Sequence, residues 1–179
     1  KALSIYAVIF SIFLFFLQHI SQLPPQAKGI QSPQEVFSAE RAFETLKYLL
    51  KENEPHPVGS NLNQIIKERL IEELDKLEIQ YEIQKTWACA TRYARCAEVE
   101  NLIGIIPGKN NAPYLALMAH YDSVPMAPGA GDDGAGVVAI LEAARVLKLE
   151  APYDYPIMLL LTDAEENGLI GAEAFFNQH

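Results

Sequence analysis

The chain opens on an unbroken apolar stretch. Residues 2–17 (ALSIYAVIFSIFLFFL) carry no charge, with Lys1 before them and Gln18, His19 and Ile20 after. A helix of about 17–20 apolar residues is long enough to cross a bilayer. Residues 1–20 are therefore expected to form a transmembrane anchor. Two other readings stay open: a signal peptide, although SQLPPQAKG is a poor cleavage site, and a buried helix. Lys1 on the leading side favours an N-in orientation, which puts the rest of the chain outside the cytoplasm or in a lumen. Residues 21–32 (SQLPPQAKGIQS) are rich in Pro, Gln and Ser and read as a linker.

From residue 33 the pattern becomes that of a folded domain. Ser38 is a suitable N-cap, and Ala42, Phe43, Leu46, Leu49 and Leu50 follow at helical spacing. The turn PHPVGS (Pro55–Ser60) interrupts, and a second helix carries Leu62, Ile65, Ile66, Leu70, Leu74 and Leu77. The period then shortens. Ile79, Tyr81 and Ile83 alternate with polar residues, which predicts a strand with one face buried. Leu102–Ile106 and Tyr114–Ala119 are short apolar runs joined by PGKNNAP, the pattern of a hairpin. Val137–Leu149 is helical in spacing, Ile157–Leu161 (IMLLL) reads as a strand buried on both faces, and Gly171–Asn177 starts another helix. Strands followed by a strand–helix–strand–helix run predict an α/β domain with a mixed sheet covered by helices.

Composition narrows the function. The net charge is −9 with no basic cluster, which argues against a nucleic-acid partner. Cys89 and Cys96 lie seven residues apart in WACATRYARCAE. Outside the cytoplasm a disulfide closing a short loop is the expectation, with two free thiols as the other reading.

Three polar clusters follow strands. In Met118-Ala119-His120-Tyr121-Asp122-Ser123, His120 and Asp122 share a face of an extended chain, and a ligating histidine commonly gives its second N–H to a carboxylate. The Pro128–Gly136 segment (PGAGDDGAG) has four glycines in the eight residues from Gly129 and the adjacent acids Asp132 and Asp133. Negative charge there also suits the start of the next helix. Thr162–Gly168 (TDAEENG) places Asp163, Glu165 and Glu166 just beyond a buried strand, where α/β sheets hold their ligands. One imidazole with several carboxylates suits zinc or a similar divalent metal.

HYDS, PGAGDDGAGV and LLLTDAEENGLIGAEAF, with 12 residues from His120 to Asp132 and 34 from there to Glu166, together resemble metallopeptidase family 28, the di-zinc aminopeptidases. The resemblance covers residues 33–179. With the PHPVGS turn and the apolar start, it points to the membrane-anchored endoplasmic-reticulum, vacuolar or bacterial branches. It implies a three-layer αβα fold, two zinc ions per complete site, peptide or protein substrates, and hydrolysis through a metal-bridging water. His120 would bind one zinc, Asp132 would bridge, and Glu166 would bind the other. Glu165 would be the general base, Asp122 would orient His120, and the Asp132–Asp133 peptide would be cis. The Glu165–Glu166 pair requires a bend, for which Asn167-Gly168 is suited. A downstream Asp and His, also implied, do not occur before His179, so residues 21–179 alone are expected to be inactive. A one-zinc glutaminyl cyclase and a non-catalytic, receptor-like homologue are the rival readings. Oligomeric state is left open.

Overall fold

The computed structural model describes residues 2–110 and 113–179, without the side chains of residues 2–4 and 7. Among these residues five α-helices and four strands run in the order α1 (Ala2–Ser21), α2 (Ala39–Leu49), α3 (Asn61–Lys76), β1 (Gln80–Cys89), β2 (Cys96–Ile106), β3 (Leu115–His120), α4 (Ala135–Leu149), β4 (Ile157–Thr162) and α5 (Ile170–Gln178). The two early helices begin where hydroxyl caps stand. Ser38 Oγ accepts from the Arg41 N–H at 3.2 Å and Ser60 Oγ from the Asn63 N–H at 3.1 Å, each taking one of the free donors of a helix start.

The sheet is mixed, with strand order β1-β2-β4-β3. β1 and β4 are antiparallel to β2, and β3 is parallel to β4. Helices cover both faces. Ile157, Leu159 and Leu161 of β4 join Leu102 and Ile106 of β2 under α2, α3 and α4. Leu160 turns the other way, onto Ile103 and Phe175 of α5. Truncating a fully buried leucine such as Leu102 or Leu159 costs about 2–5 kcal/mol. The exposed Lys47–Glu44 pair contributes about 0–1 kcal/mol. The two-sided apolar packing therefore holds the site's scaffold.

Two expectations need correcting. Leu102–Ile106 and Tyr114–Ala119 do not form a hairpin, because β4 lies between β2 and β3. IMLLL is apolar toward both layers and takes the inner position, whereas β3, with Leu115 and Met118 exposed, takes the edge. The hairpin is instead β1–β2, paired from Gln80–Ile105 to Cys89–Cys96, and the two cysteines are joined as a disulfide. Residues 111–112 of the β2–β3 connection lie outside the described residues. The second correction concerns β1. Ile79 is buried among Leu70 and Leu74 of α3, but Tyr81 and Ile83 further along the edge strand are exposed, and α5 meets β1 on its other face, at Gln84.

The start of the chain falls into two parts. No helix among the described residues is long and apolar enough to cross a membrane. The expected anchor at residues 1–20 lies partly outside that description; its described large apolar side chains, from Ile5 to Ile20, are all exposed. The linker is held down at its far end. Ser38 Oγ donates to the Lys28 and Gly29 carbonyls at 3.0 and 2.8 Å. Arg41 donates to the carbonyls of Ile30, Ser32 and Val36 while its Nε holds Glu142 at 3.1 Å.

Candidate metal centre

Parallel pairing of β3 with β4 sets His120 opposite Thr162. Both strands thus deliver their carboxyl ends to one edge of the sheet, the end where α/β folds bind ligands. Past β3 come Tyr121, Asp122 and Ser123; past β4 come Asp163, Glu165 and Glu166. The Pro128–Gly136 segment folds over them.

Asp122 is the knot that ties these segments. It is almost wholly buried, and its two oxygens accept the backbone N–H groups of Glu165 at 2.9 Å and Glu166 at 3.2 Å. His120 Nδ1 lies 3.0 Å from the Asp122 carbonyl and 3.4 Å from its carboxylate. Donation from Nδ1 fixes the ring so that Nε2 faces outward, toward Asp132 Oδ1 at 3.1 Å and Glu165 Oε2 at 3.7 Å. Burial alone would lower the His120 pKa, but hydrogen bonds to Asp122 and Asp132 and the charge of Glu165 outweigh it and raise the value to about 9. Burial first, then the Asp132 and Glu165 charges, push the Glu166 carboxyl up.

One ligand atom from each of His120, Asp132 and Glu166 lies within 4.8 Å of the others. The donor set is one imidazole nitrogen and carboxylate oxygens whose mutual repulsion a cation would relieve. It fits zinc or a similar divalent transition metal.

The acidic pair at the head of α4 divides its work. Asp133 Oδ1 accepts the Gly136 N–H at 3.1 Å and caps α4, as expected of an acid at a helix start. Asp132 is left turned toward His120. The Asp132–Asp133 peptide is cis. Gly129, at φ +67°, lets the loop approach: a Cβ there would meet Ser123 Cβ at 2.9 Å.

The bend around Glu165 and Glu166 uses Gly168 of the expected Asn167-Gly168 pair, together with left-handed residues on either side. Asn167 contributes no left-handed residue; Ala164 (φ +56°), Gly168 (φ +106°) and Leu169 (φ +64°) do. A non-glycine residue at positive φ is uncommon and is kept where its surroundings hold it. Here Asp163 does so. Its carboxylate accepts the Ala164 N–H at 2.9 Å, the Glu100 N–H at 3.3 Å and Asn63 Nδ2 at 3.2 Å. Burial, then the nearby Asp122 charge, raise its pKa to about 6.

All five residues singled out by sequence, His120, Asp122, Asp132, Glu165 and Glu166, come together at this end of the sheet. Two others were given no role by the sequence. Asp163 stands in the same acidic run but faces inward, and His56 belongs to the PHPVGS turn. His56 donates its backbone N–H to Ser123 Oγ at 2.8 Å and accepts the Ser123 N–H at 3.3 Å, tying that turn to the histidine strand. The signal for His56 was a histidine locked between two prolines.

The fold and donor set define an α/β metallohydrolase-like scaffold. Residues 101–179 match the model of peptidase family M28. It is 45% identical over 78 residues to aminopeptidase YwaD of Bacillus subtilis, covering 42% of this chain and 17% of the relative. It is 29% identical over 196 residues to a vacuolar membrane protease of Coprinopsis cinerea, covering 97% of this chain and 19% of the relative. Among solved structures it superposes on a Zn-dependent exopeptidase from Parabacteroides distasonis with TM-score 0.62 and 26% identity, over 75% of this chain and 49% of the other. A Porphyromonas gingivalis glutaminyl cyclase gives TM-score 0.64 and 25% identity, over 74% and 47%. The chain thus spans about a fifth of these curated relatives and about half of these solved structures.

Proposed function

We propose that the complete protein is a zinc-dependent peptidase of aminopeptidase type. The observation that carries this is the convergence of His120, Asp132 and Glu166 donor atoms within 4.8 Å, with the Glu165 carboxylate beside them. In this reading His120 would hold one zinc, Glu166 a second, and Asp132 would serve both. Zinc there would polarise the scissile carbonyl and make an attacking water more acidic. Glu165 takes the water's proton and returns it to the leaving amine, a step typically worth about 10²–10⁴-fold. Asp122 keeps His120 Nε2 aimed outward and fixes the backbone from which both glutamates project.

The purified complete protein is expected to hydrolyse aminoacyl-p-nitroanilides, to lose that activity to phenanthroline, and to regain it with zinc. Cyclisation of N-terminal glutamine without peptide hydrolysis would establish the glutaminyl-cyclase reading instead, and activity untouched by the chelator would sink the zinc reading.

Placement is part of the same proposal. An uncharged helix with exposed large apolar side chains supports a membrane anchor, with the domain extracytoplasmic or lumenal. So does similarity to a membrane protease over 97% of the chain. In vesicles from expressing cells, the domain should resist added protease until detergent opens the membrane. Digestion in sealed, cytoplasmic-side-out vesicles would refute this placement.

A further inference from the structure

Beside the candidate metal centre lies an open cavity of about 580 Å³, bordered by Glu165 and Glu166 on one side and by the β1–β2 loop on the other. That loop is short and well anchored. The Cys89–Cys96 disulfide closes its base, and the Ala90 N–H donates to the Arg95 carbonyl at 2.9 Å. Thr91 gives its N–H and hydroxyl to the Glu173 carboxylate of α5 at 3.0 and 2.7 Å. Gly168 permits the close approach, since a Cβ there would meet the Tyr93 ring at 2.7 Å.

The charges along this cavity are separated. Arg41, Arg69 and Arg145 each hold a carboxylate elsewhere in the molecule. Among the described residues, Arg92 and Arg95 hold none, although the chain is acidic overall. Both line the cavity, with the Arg92 guanidinium 5.7 Å from the Tyr93 ring centre. The third cavity carboxylate, Glu173, is engaged by Thr91. A ligand bridging the two sides would present its reacting end to Glu165 and Glu166 and a carboxylate to the arginines.

We infer that Arg92 and Arg95 of the disulfide-closed loop determine specificity, binding a carboxylate of the peptide close to the scissile bond. This rests on the peptidase reading of the adjoining site. The carboxylate has two sources: the side chain of an N-terminal Glu or Asp, or the free C-terminus of a dipeptide. Guanidinium–carboxylate hydrogen bonds are charge-assisted and forked, and removing them discriminates about 10–100-fold.

The test uses the complete zinc-loaded protein and two isosteric pairs, Glu-p-nitroanilide against Gln-p-nitroanilide and Leu-Leu against Leu-Leu-amide. The acid is expected to exceed its amide in kcat/KM by about tenfold or more in one pair, and that pair names the source. The advantage should vanish in R92Q/R95Q through KM, invert in R92E/R95E and survive in part in R92K/R95K. Zinc content and hydrolysis of the amide substrates should stay unchanged. Equal rates for acid and amide in both pairs, or an advantage that R92Q/R95Q leaves intact, would overturn the inference. Failure of the unaltered protein to cleave any of the four substrates would overturn the peptidase reading itself, and the inference with it.

Discussion

Glu165→Gln is expected to cut turnover of the complete protein by about 10²–10⁴-fold, the usual contribution of a general base, while zinc content stays that of the unaltered protein. Glu166→Gln should instead lower zinc content and activity together, because an amide oxygen is a poorer zinc ligand than a carboxylate. The two residues are neighbours in sequence, similarly exposed, and share the Asp122 anchor, so general disruption would affect both variants alike. Metal analysis and kcat on the two purified variants separate the roles. A loss of metal in Glu165→Gln with metal retained in Glu166→Gln would reverse the assignment.

The other large effect belongs to a residue that need not touch substrate. In Asp122→Ala, the N–H groups of Glu165 and Glu166 lose their acceptor, at about 1–3 kcal/mol for each buried donor left unpaired. His120 Nδ1 loses the carboxylate 3.4 Å away at the same time. Partners of this kind are worth about 10–100-fold in metal affinity or activity. Displacing the glutamate backbone compounds that loss, since small misplacements of catalytic groups cost about 10²-fold. Weaker zinc binding by competition with a chromophoric chelator, together with a fall in kcat/KM of about 10²-fold or more, is expected. Asp122→Asn should recover little, because its amide group would point N–H toward N–H. Unchanged zinc affinity in both variants would show that His120 is oriented by the Asp122 carbonyl alone.

Much of this arrangement was legible in the sequence because it depends on local spacing. Helical periodicity located α2, α3 and α4, and three polar clusters after apolar runs marked the end of the sheet where the site lies. What stayed hidden depends on long-range partners. Nothing local distinguishes two strands joined by PGKNNAP as sheet neighbours from two strands with a third inserted between them. The apolarity of IMLLL on both faces was the only hint, and it bears on burial before strand order. Tyr81 and Ile83 show the same limit: alternation gives a strand two faces but does not say whether a helix covers one. Asp163 and His56 look like ordinary loop residues until Asn63, Glu100 and Ser123 arrive from elsewhere in the chain to satisfy them.

The β1–β2 loop has a consequence for how such a protein could diversify. Its polar fastenings are the disulfide and Thr91's grip on Glu173, and neither involves Asp122 or Asp163, the buried carboxylates that organise the metal ligands. Substitutions at positions 92 and 95 would leave the Asp122 and Asp163 hydrogen bonds in place while redrawing the outline of whatever the cavity receives. Chemistry and selectivity sit on separately inherited parts, so new preferences could be tried in single steps without first surrendering the old activity.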